Sequence, residues 1–337
     1  MALVTPTTSF EPIESILYAS TIAKGLMAAL DLGIFGHLAQ GEKSAGELAA
    51  ATGTLPDRLG ALLDLLAARG ILEKTAAGYA NSPAAAEYLV PGRPLYQGRA
   101  MALNMQYFEP LERNLTEALR REDGARHEAD AAWAMEEVME GTAGHAQSGG
   151  LVRVTRLVSG LPGFAAMRTM ADVGGNHGEF TMALLDANPN LTGVIFDLPH
   201  VAPLSEARCR ARGYGDRVAA TAFDLRTDSL GQDAFDLALA SHVLYGVAED
   251  LECSVGTMAK ALRPGGWMVS HHFAPGGRDA ASEAGQELLT RLAGYPTHFL
   301  PLEAIEGAMA RQGLGQFVVE ATAPPLGGGL IVAGKKR

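Results

Sequence analysis

"MADVGGNHGEFTMALL", Met170 to Leu185, joins an apolar run to a helical pattern through three glycines. Met170–Val173 reads as a buried strand. Gly174, Gly175 and Gly178 let the chain turn sharply without a Cβ penalty. A helix beginning near Gly178 presents free N–H groups to an anion. The same alternation repeats downstream. "GVIFDL", "VAATAFDL", "FDLALAS" and "WMVSHHF" read as further strands, with helical stretches between them. Alternating strand and helix predicts an α/β fold, a parallel sheet covered by helices on both faces. "QFVVEATAPPLGGGLIVAGKK" adds two strands, a terminal hairpin with one antiparallel member.

The first half of the chain reads differently. Residues 1–12 are expected to be irregular. Ile13 to about Leu32 has apolar residues at helical spacing and stops at Gly33. "SAGELAAATG" follows, with Ser44 as cap, Glu47 three residues on and Gly53 as stop, a capping-box pattern. "LPDRLGALLDLLAARG" is a further amphipathic helix between Pro56 and Gly70. "ILEKTAAGYANS" reads as two short strands about a turn at Ala76–Gly78. Three helices and a β-hairpin make a winged-helix arrangement over residues 1–95. Residues 86–160 read as mostly helical, with Pro91, Pro94 and Pro110 as breaks; 96–160 form a helical bridge, and residues 161–337 form the α/β domain.

The 337 residues carry a net charge of −11, 47% apolar and 19% charged residues. That balance excludes disorder. It also argues against nucleic acid, since the third helix has no excess of Lys and Arg and the phosphate attraction is missing. There is no N-terminal signal pattern and no uninterrupted run of about 18 apolar residues, so no membrane partner is expected. Cys209 and Cys253 lack metal-ligand spacing and read as free thiols in a reducing, cytoplasmic compartment.

The glycine loop is G-G-x-x-G rather than the dinucleotide pattern G-x-G-x-x-G. With Asp172 it reads D-x-G-x-x-x-G, which resembles the S-adenosylmethionine (SAM) motif. Asp197 ends the next strand about 20 residues later, where a carboxylate can bind ribose hydroxyls. Asp224 ends the following strand and is placed to accept from an adenine amino group. "DVGGNHGEF", "FDLPHV", "FDLALASHVLYG" and "ALRPGGWMV" occur in the order of the plant-type O-methyltransferase family, which the chain resembles over about residues 13–335. There is some likeness to its bacteriochlorophyllide C-methyltransferase branch. The resemblance implies a Rossmann-like SAM methyltransferase domain, an N-terminal dimerisation domain, and a homodimer whose N-terminal region helps roof the partner's site. It implies Asp172, Gly174, Gly175, Asn176, Gly178, Asp197, Leu198, Asp224, Leu225 and Ser241 as cofactor-binding residues. The family has glycine where this chain has Asn176, the side chain most able to take left-handed angles. His177 is expected to face solvent.

In the resembling family a histidine in an L-H-D-W pattern removes the proton of the acceptor hydroxyl. "ASHVLYGVAED" places Tyr245 there instead, with Gly246 and Val247 after it. Tyrosine, with a pKa near 10, is a poor base at neutral pH. His242, three residues earlier on the expected helix, shares a face with it. His298 is the best remaining base. Of His271 and His272, adjacent on a strand, at most one faces the pocket. The acceptor pocket is expected to draw on Met101, Asn104, Met105, Tyr107, Phe108, Trp133, Met135, Met139, His145 and Tyr295, a set suited to a flat apolar molecule. No ligand spacing supports a metal. Three readings stand: methyl transfer to a hydroxyl of a small aromatic or conjugated metabolite, methyl transfer to a conjugated carbon, and a non-catalytic SAM-binding protein.

Overall fold

The computed structural model describes residues 5–121, 126–322 and 329–337. The chain divides into two compact units, residues 1–102 and 103–337.

In the first unit, helices Glu11–Leu17 and Ala19–Asp31 meet at Tyr18, so the first expected helix is split. It begins at Glu11, inside the stretch expected to be irregular. The left-handed Gly33 then turns the chain into helix Ile34–Leu38. Helix Ala45–Thr52 has the expected capping box, with Ser44 Oγ accepting from Glu47 N and the Glu47 carboxylate accepting from Ser44 N. Ser44→Ala should therefore destabilise this unit by about 1 kcal/mol, read as a lower midpoint in urea unfolding. Helix Pro56–Ala68 follows, then β1 (Leu72–Lys74) and β2 (Tyr79–Asn81), paired antiparallel. Phe35, Leu48, Leu63, Leu66 and Leu72 fill the core. Glu11–Asp31 is long and apolar enough to cross a membrane by length and composition, with mean hydropathy 1.3.

The second unit holds a seven-stranded sheet. Its strands are β3 (Thr169–Val173), β4 (Thr192–Asp197), β5 (Val218–Ala222), β6 (Phe235–Ser241), β7 (Leu262–Phe273), β8 (Leu314–Thr322) and β9 (Gly329–Lys336). Their order is β5-β4-β3-β6-β7-β9-β8, parallel except for β9, which runs antiparallel to both neighbours. The turn of the terminal hairpin lies outside the described residues. Alternate side chains of each strand enter opposite cores. Met170, Leu237, Leu239 and Trp267 pack under helices Leu151–Ser159 and Glu179–Ala187. Ala171, Ala238, Ala240 and Met268 pack on the other face, under helices Leu251–Ala261 and Leu302–Arg311. Pro110 does not break its helix but sits inside Gly98–Arg113, in the last turn.

The chain leaves β3 towards β4 on one side and returns to β6 on the other. Ligands of open α/β sheets bind at this reversal, beyond the carboxyl ends of the strands. Val173, Asp197, Ala222 and Ser241 end their strands on that edge.

Candidate active site

The glycine loop takes the expected left-handed angles, with φ of 67° at Gly174, 37° at Asn176 and 72° at Gly178. Asn176 thus fills the family's glycine position without losing the turn. Each glycine also has a packing reason. A Cβ on Gly175 would meet the Asp172 carboxylate, one on Gly174 the Val243 side chain, and one on Gly178 the Cys209 sulfur.

Asp197 is buried, and burial raises its pKa. Asn176 N and Leu198 N each donate to it at 2.8 Å, which fixes the carboxylate at the end of β4. Asp172 lies beneath the loop. Thr181 Oγ1 donates to its Oδ2 at 2.6 Å, while Oδ1 is buried without a partner. Burial lifts its pKa to about 7. An orphaned buried oxygen under the loop and a fixed carboxylate beside it fit a polar nucleoside ligand. Leu225 packs on the core below β5, and Leu198 is half-buried. Asp224 is not an open acceptor: Arg226 Nε and Nη2 donate to its two oxygens at 2.7 Å, and this holds its pKa below the usual range.

His177 is buried rather than solvent-facing. Its Nδ1 accepts from Glu179 N at 3.1 Å, satisfying an open N–H of the following helix, and its ring lies 6.0 Å from Phe180. Burial pushes its pKa down to about 3.

A helix does not begin at Ser241. His242 has φ 57°, Leu244–Asp250 is an irregular 3₁₀ run, and the regular helix starts only at Leu251. His242 and Tyr245 therefore do not share a helix face, yet the tight turn brings their rings to 6.3 Å. His145, His242, His271 and Phe273 line a small cavity with Ala146, Gly150, Thr322 and Gly329. Phe273 stands 4.4 Å from His242, 5.9 Å from His145 and 4.8 Å, nearly parallel, from His298. Tyr245 also stacks on His298, at 5.8 Å. His272 points away and bonds to Ser270 at 2.9 Å, so only His271 of the adjacent pair faces the cavity. Ser241 Oγ meets His271 Nδ1 at 2.9 Å.

Burial holds His271 down at about 3 and His298 at about 4, with Arg278 adding to the effect on His298. Burial also drives His242 well below its usual value and raises the Tyr245 phenol. At neutral pH these imidazoles are neutral. Thr290 Oγ1 bonds His298 Nδ1 at 2.8 Å, and His298 Nε2 is buried without a partner. Among the described residues no cluster of His, Cys, Asp or Glu has a metal-binding arrangement.

Other expected pocket residues divide. Met139 is buried on helix Glu136–His145, and Trp133 Nε1 donates to Tyr295 Oη at 2.9 Å. Met105 and Phe108 are half-buried. Met101 packs against the core of the N-terminal unit instead, Asn104 is exposed, and Met135 is 47% exposed at its helix cap. The side chain of Tyr107 lies outside the described residues. Phe273 and Arg226 were missed by the sequence reading. Phe273 follows the paired histidines, a position readable only once the strand end is known.

Sequence models of the O-methyltransferase dimerisation domain and the O-methyltransferase domain match residues 15–91 and 130–288. The tetracenomycin polyketide synthesis 8-O-methyl transferase TcmO of Streptomyces glaucescens is 30% identical over 251 residues, 72% of this chain and 73% of that one. This chain belongs to the plant-type O-methyltransferase family. It is an α/β SAM-dependent methyltransferase.

A second relative, the 3-hydroxy-5-methyl-1-naphthoate 3-O-methyltransferase of Streptomyces sahachiroi, is 33% identical over 223 residues, 64% of either chain. The bacteriochlorophyllide d C-20 methyltransferase of Chlorobaculum tepidum is 26% identical over 272 residues, 72% of either chain. Human N-acetylserotonin methyltransferase, solved with SAM, shares the fold at a TM-score of 0.75 and 16% identity, with 99% of both chains covered.

Proposed function

We propose that this methyltransferase moves a methyl group to a hydroxyl of a small aromatic or conjugated metabolite in specialised metabolism, with His298 as the base. The relatives' printed activities, on a hydroxynaphthoate and on a tetracenomycin polyketide, support an aromatic acceptor. The observation that carries the base assignment is the partnerless, buried Nε2 of a neutral His298 stacked against Tyr245 and Phe273. With its Nδ1–H donating to Thr290, Nε2 keeps a lone pair to take the hydroxyl proton. Tyr245 and His242 flank the acceptor and orient it.

SAM, when bound, supplies a methyl already activated on a sulfonium. Asp172, Gly174, Gly175, Asn176, Gly178, Asp197, Leu198, Asp224, Leu225 and Ser241 form its crevice in this reading. The exposed apolar side chains Phe10, Ile13, Ile16, Leu17 and Tyr18 support a homodimer built on a winged-helix domain of residues 1–95, with 96–160 lining the acceptor site. The unpaired Cys209 and Cys253 suit a cytoplasmic location.

Tyr245→Phe should lower kcat by less than about tenfold, the worth of one neutral hydrogen bond. A larger loss, measured under saturating SAM, would move the base assignment to Tyr245.

The second reading is methylation at carbon. It draws support from Tyr245 in place of the family histidine and from the C-20 methyltransferase relative. The two separate in an assay of hydroxyarenes against their O-blocked ethers. Mass gain by the free hydroxyarenes alone supports oxygen; mass gain by the ethers as well supports carbon.

A further inference from the structure

The helix Arg126–Ala132 carries no part of the SAM motif, yet it is fastened to several loops at the carboxyl edge of the sheet. Asp130 Oδ2 accepts from Arg226 Nη1 at 3.0 Å, and the same guanidinium grips both oxygens of Asp224. Asp130 Oδ1 accepts from Tyr295 Oη at 3.1 Å, and its backbone carbonyl meets His200 Nε2 at 2.9 Å. One turn on, the Trp133 carbonyl accepts from Asn176 Nδ2, in the glycine loop, at 3.0 Å. The ties therefore reach the loops after β3, β4 and β5, the three that the cofactor crevice draws on.

We propose that Asp130 is a positioning residue of the SAM site: through Arg226 it fixes the Asp224 carboxylate and clasps helix Arg126–Ala132 across the crevice. The clasp holds two carboxylates on one cation. The side chains of Asp130, Arg226 and Asp224 are 19%, 38% and 27% exposed, enough burial to limit screening and enough exposure to let the clasp open. Without Asp130, Arg226 is free to swing off Asp224, and the nucleoside end of the crevice loses both its orientation and its cover. The bonds that hold His298 and Ser241, to Thr290 and to His271, do not run through the clasp.

This inference rests on the assignment of Asp224 to the cofactor. The test is calorimetric titration of the full-length protein with S-adenosylhomocysteine, together with stopped-flow dissociation of the same ligand. Asp130→Asn, which keeps the side chain's shape, should weaken binding about tenfold and speed dissociation by a similar factor, a charged hydrogen bond being worth that much. kcat at saturating SAM and the melting temperature should stay at wild-type values, and Asp130→Glu should recover part of the affinity. Arg226→Gln should weaken binding too, and the double variant should be no weaker than Arg226→Gln alone. Wild-type affinity in Asp130→Asn, or additive losses in the double variant, would overturn the clasp. So would a parallel fall in affinity, kcat and melting temperature, which marks a merely structural role. Absence of binding by the wild type would instead overturn the cofactor assignment.

Discussion

His298→Ala should lower kcat by about 10²–10⁴-fold, the range over which a positioned general base acts. The same substitution should change the pH profile. With His298 held at about 4, the proposed base is unprotonated throughout the neutral range, so His298 itself contributes no titration between pH 6 and 8. In His298→Ala the acceptor must ionise in solution before it reacts. Its rate should then climb about tenfold per pH unit until the pKa of the acceptor hydroxyl is reached. Thr290→Val should give a partial version of the same loss, because in the proposed arrangement Thr290 accepts from Nδ1–H and so leaves Nε2 open. A His298→Ala enzyme with wild-type rate and profile would mean that the acceptor arrives ionised, or that carbon is the acceptor.

Acid should unfold the catalytic unit at a pH where most domains are stable. His177 and His271 are buried, with folded pKa values pressed to about 3, and His272 is pressed to about 4. In the unfolded chain each returns to about 6.5. Below pH 6.5 the unfolded state therefore binds more protons than the native state, and stability falls as the pH falls. Each histidine should lose roughly 2 kcal/mol between pH 7 and pH 5. Asp172 works in the opposite sense. Its folded pKa of about 7 lies above the unfolded carboxylate value, so protonating it over the same interval stabilises the native state. His298 and His242 are shifted in the same sense as these histidines and Asp197 in the same sense as Asp172, so the histidines outnumber the carboxylates and the net effect is a loss of stability as the pH falls. Urea unfolding at pH 7, 6 and 5 should show the midpoint falling at each step. A flat midpoint would mean that these imidazoles take up protons in the native state. His271→Asn should flatten the slope by about one histidine's worth.

What the sequence made legible was local. The three glycines, Asn176 and the carboxylate about 20 residues on lie within one strand–turn–helix–strand unit, and spacing alone orders them. Ser44 with Glu47, and Pro56 with Gly70, were readable because capping is a matter of a few neighbouring residues. The misreadings come from contacts that spacing does not carry. His177 looked like a loop residue because its burial depends on Phe180 and on the open N–H of Glu179, which exist only once the helix is in place. His242 is expected on a helix because "ASHVLYGVAED" follows a strand, as the helix does in the resembling family; a left-handed residue at the strand end delays that helix to Leu251. Asp224 reads as an open acceptor because strand-end spacing says nothing of the Arg226 guanidinium that folds back onto it. Its second partner, Asp130, lies far away along the chain, and no periodicity links the two.

Transfer to oxygen is decided by where the methyl ends up. The protein should be incubated with SAM carrying a ¹³C-labelled methyl and with a panel of hydroxyarenes, and the product read by carbon–proton correlation NMR. A single labelled methoxy group is expected, its methyl correlating through oxygen to the ring carbon that bore the hydroxyl. A label bonded directly to ring carbon would contradict it, as would unlabelled acceptors throughout the panel from a protein that binds SAM.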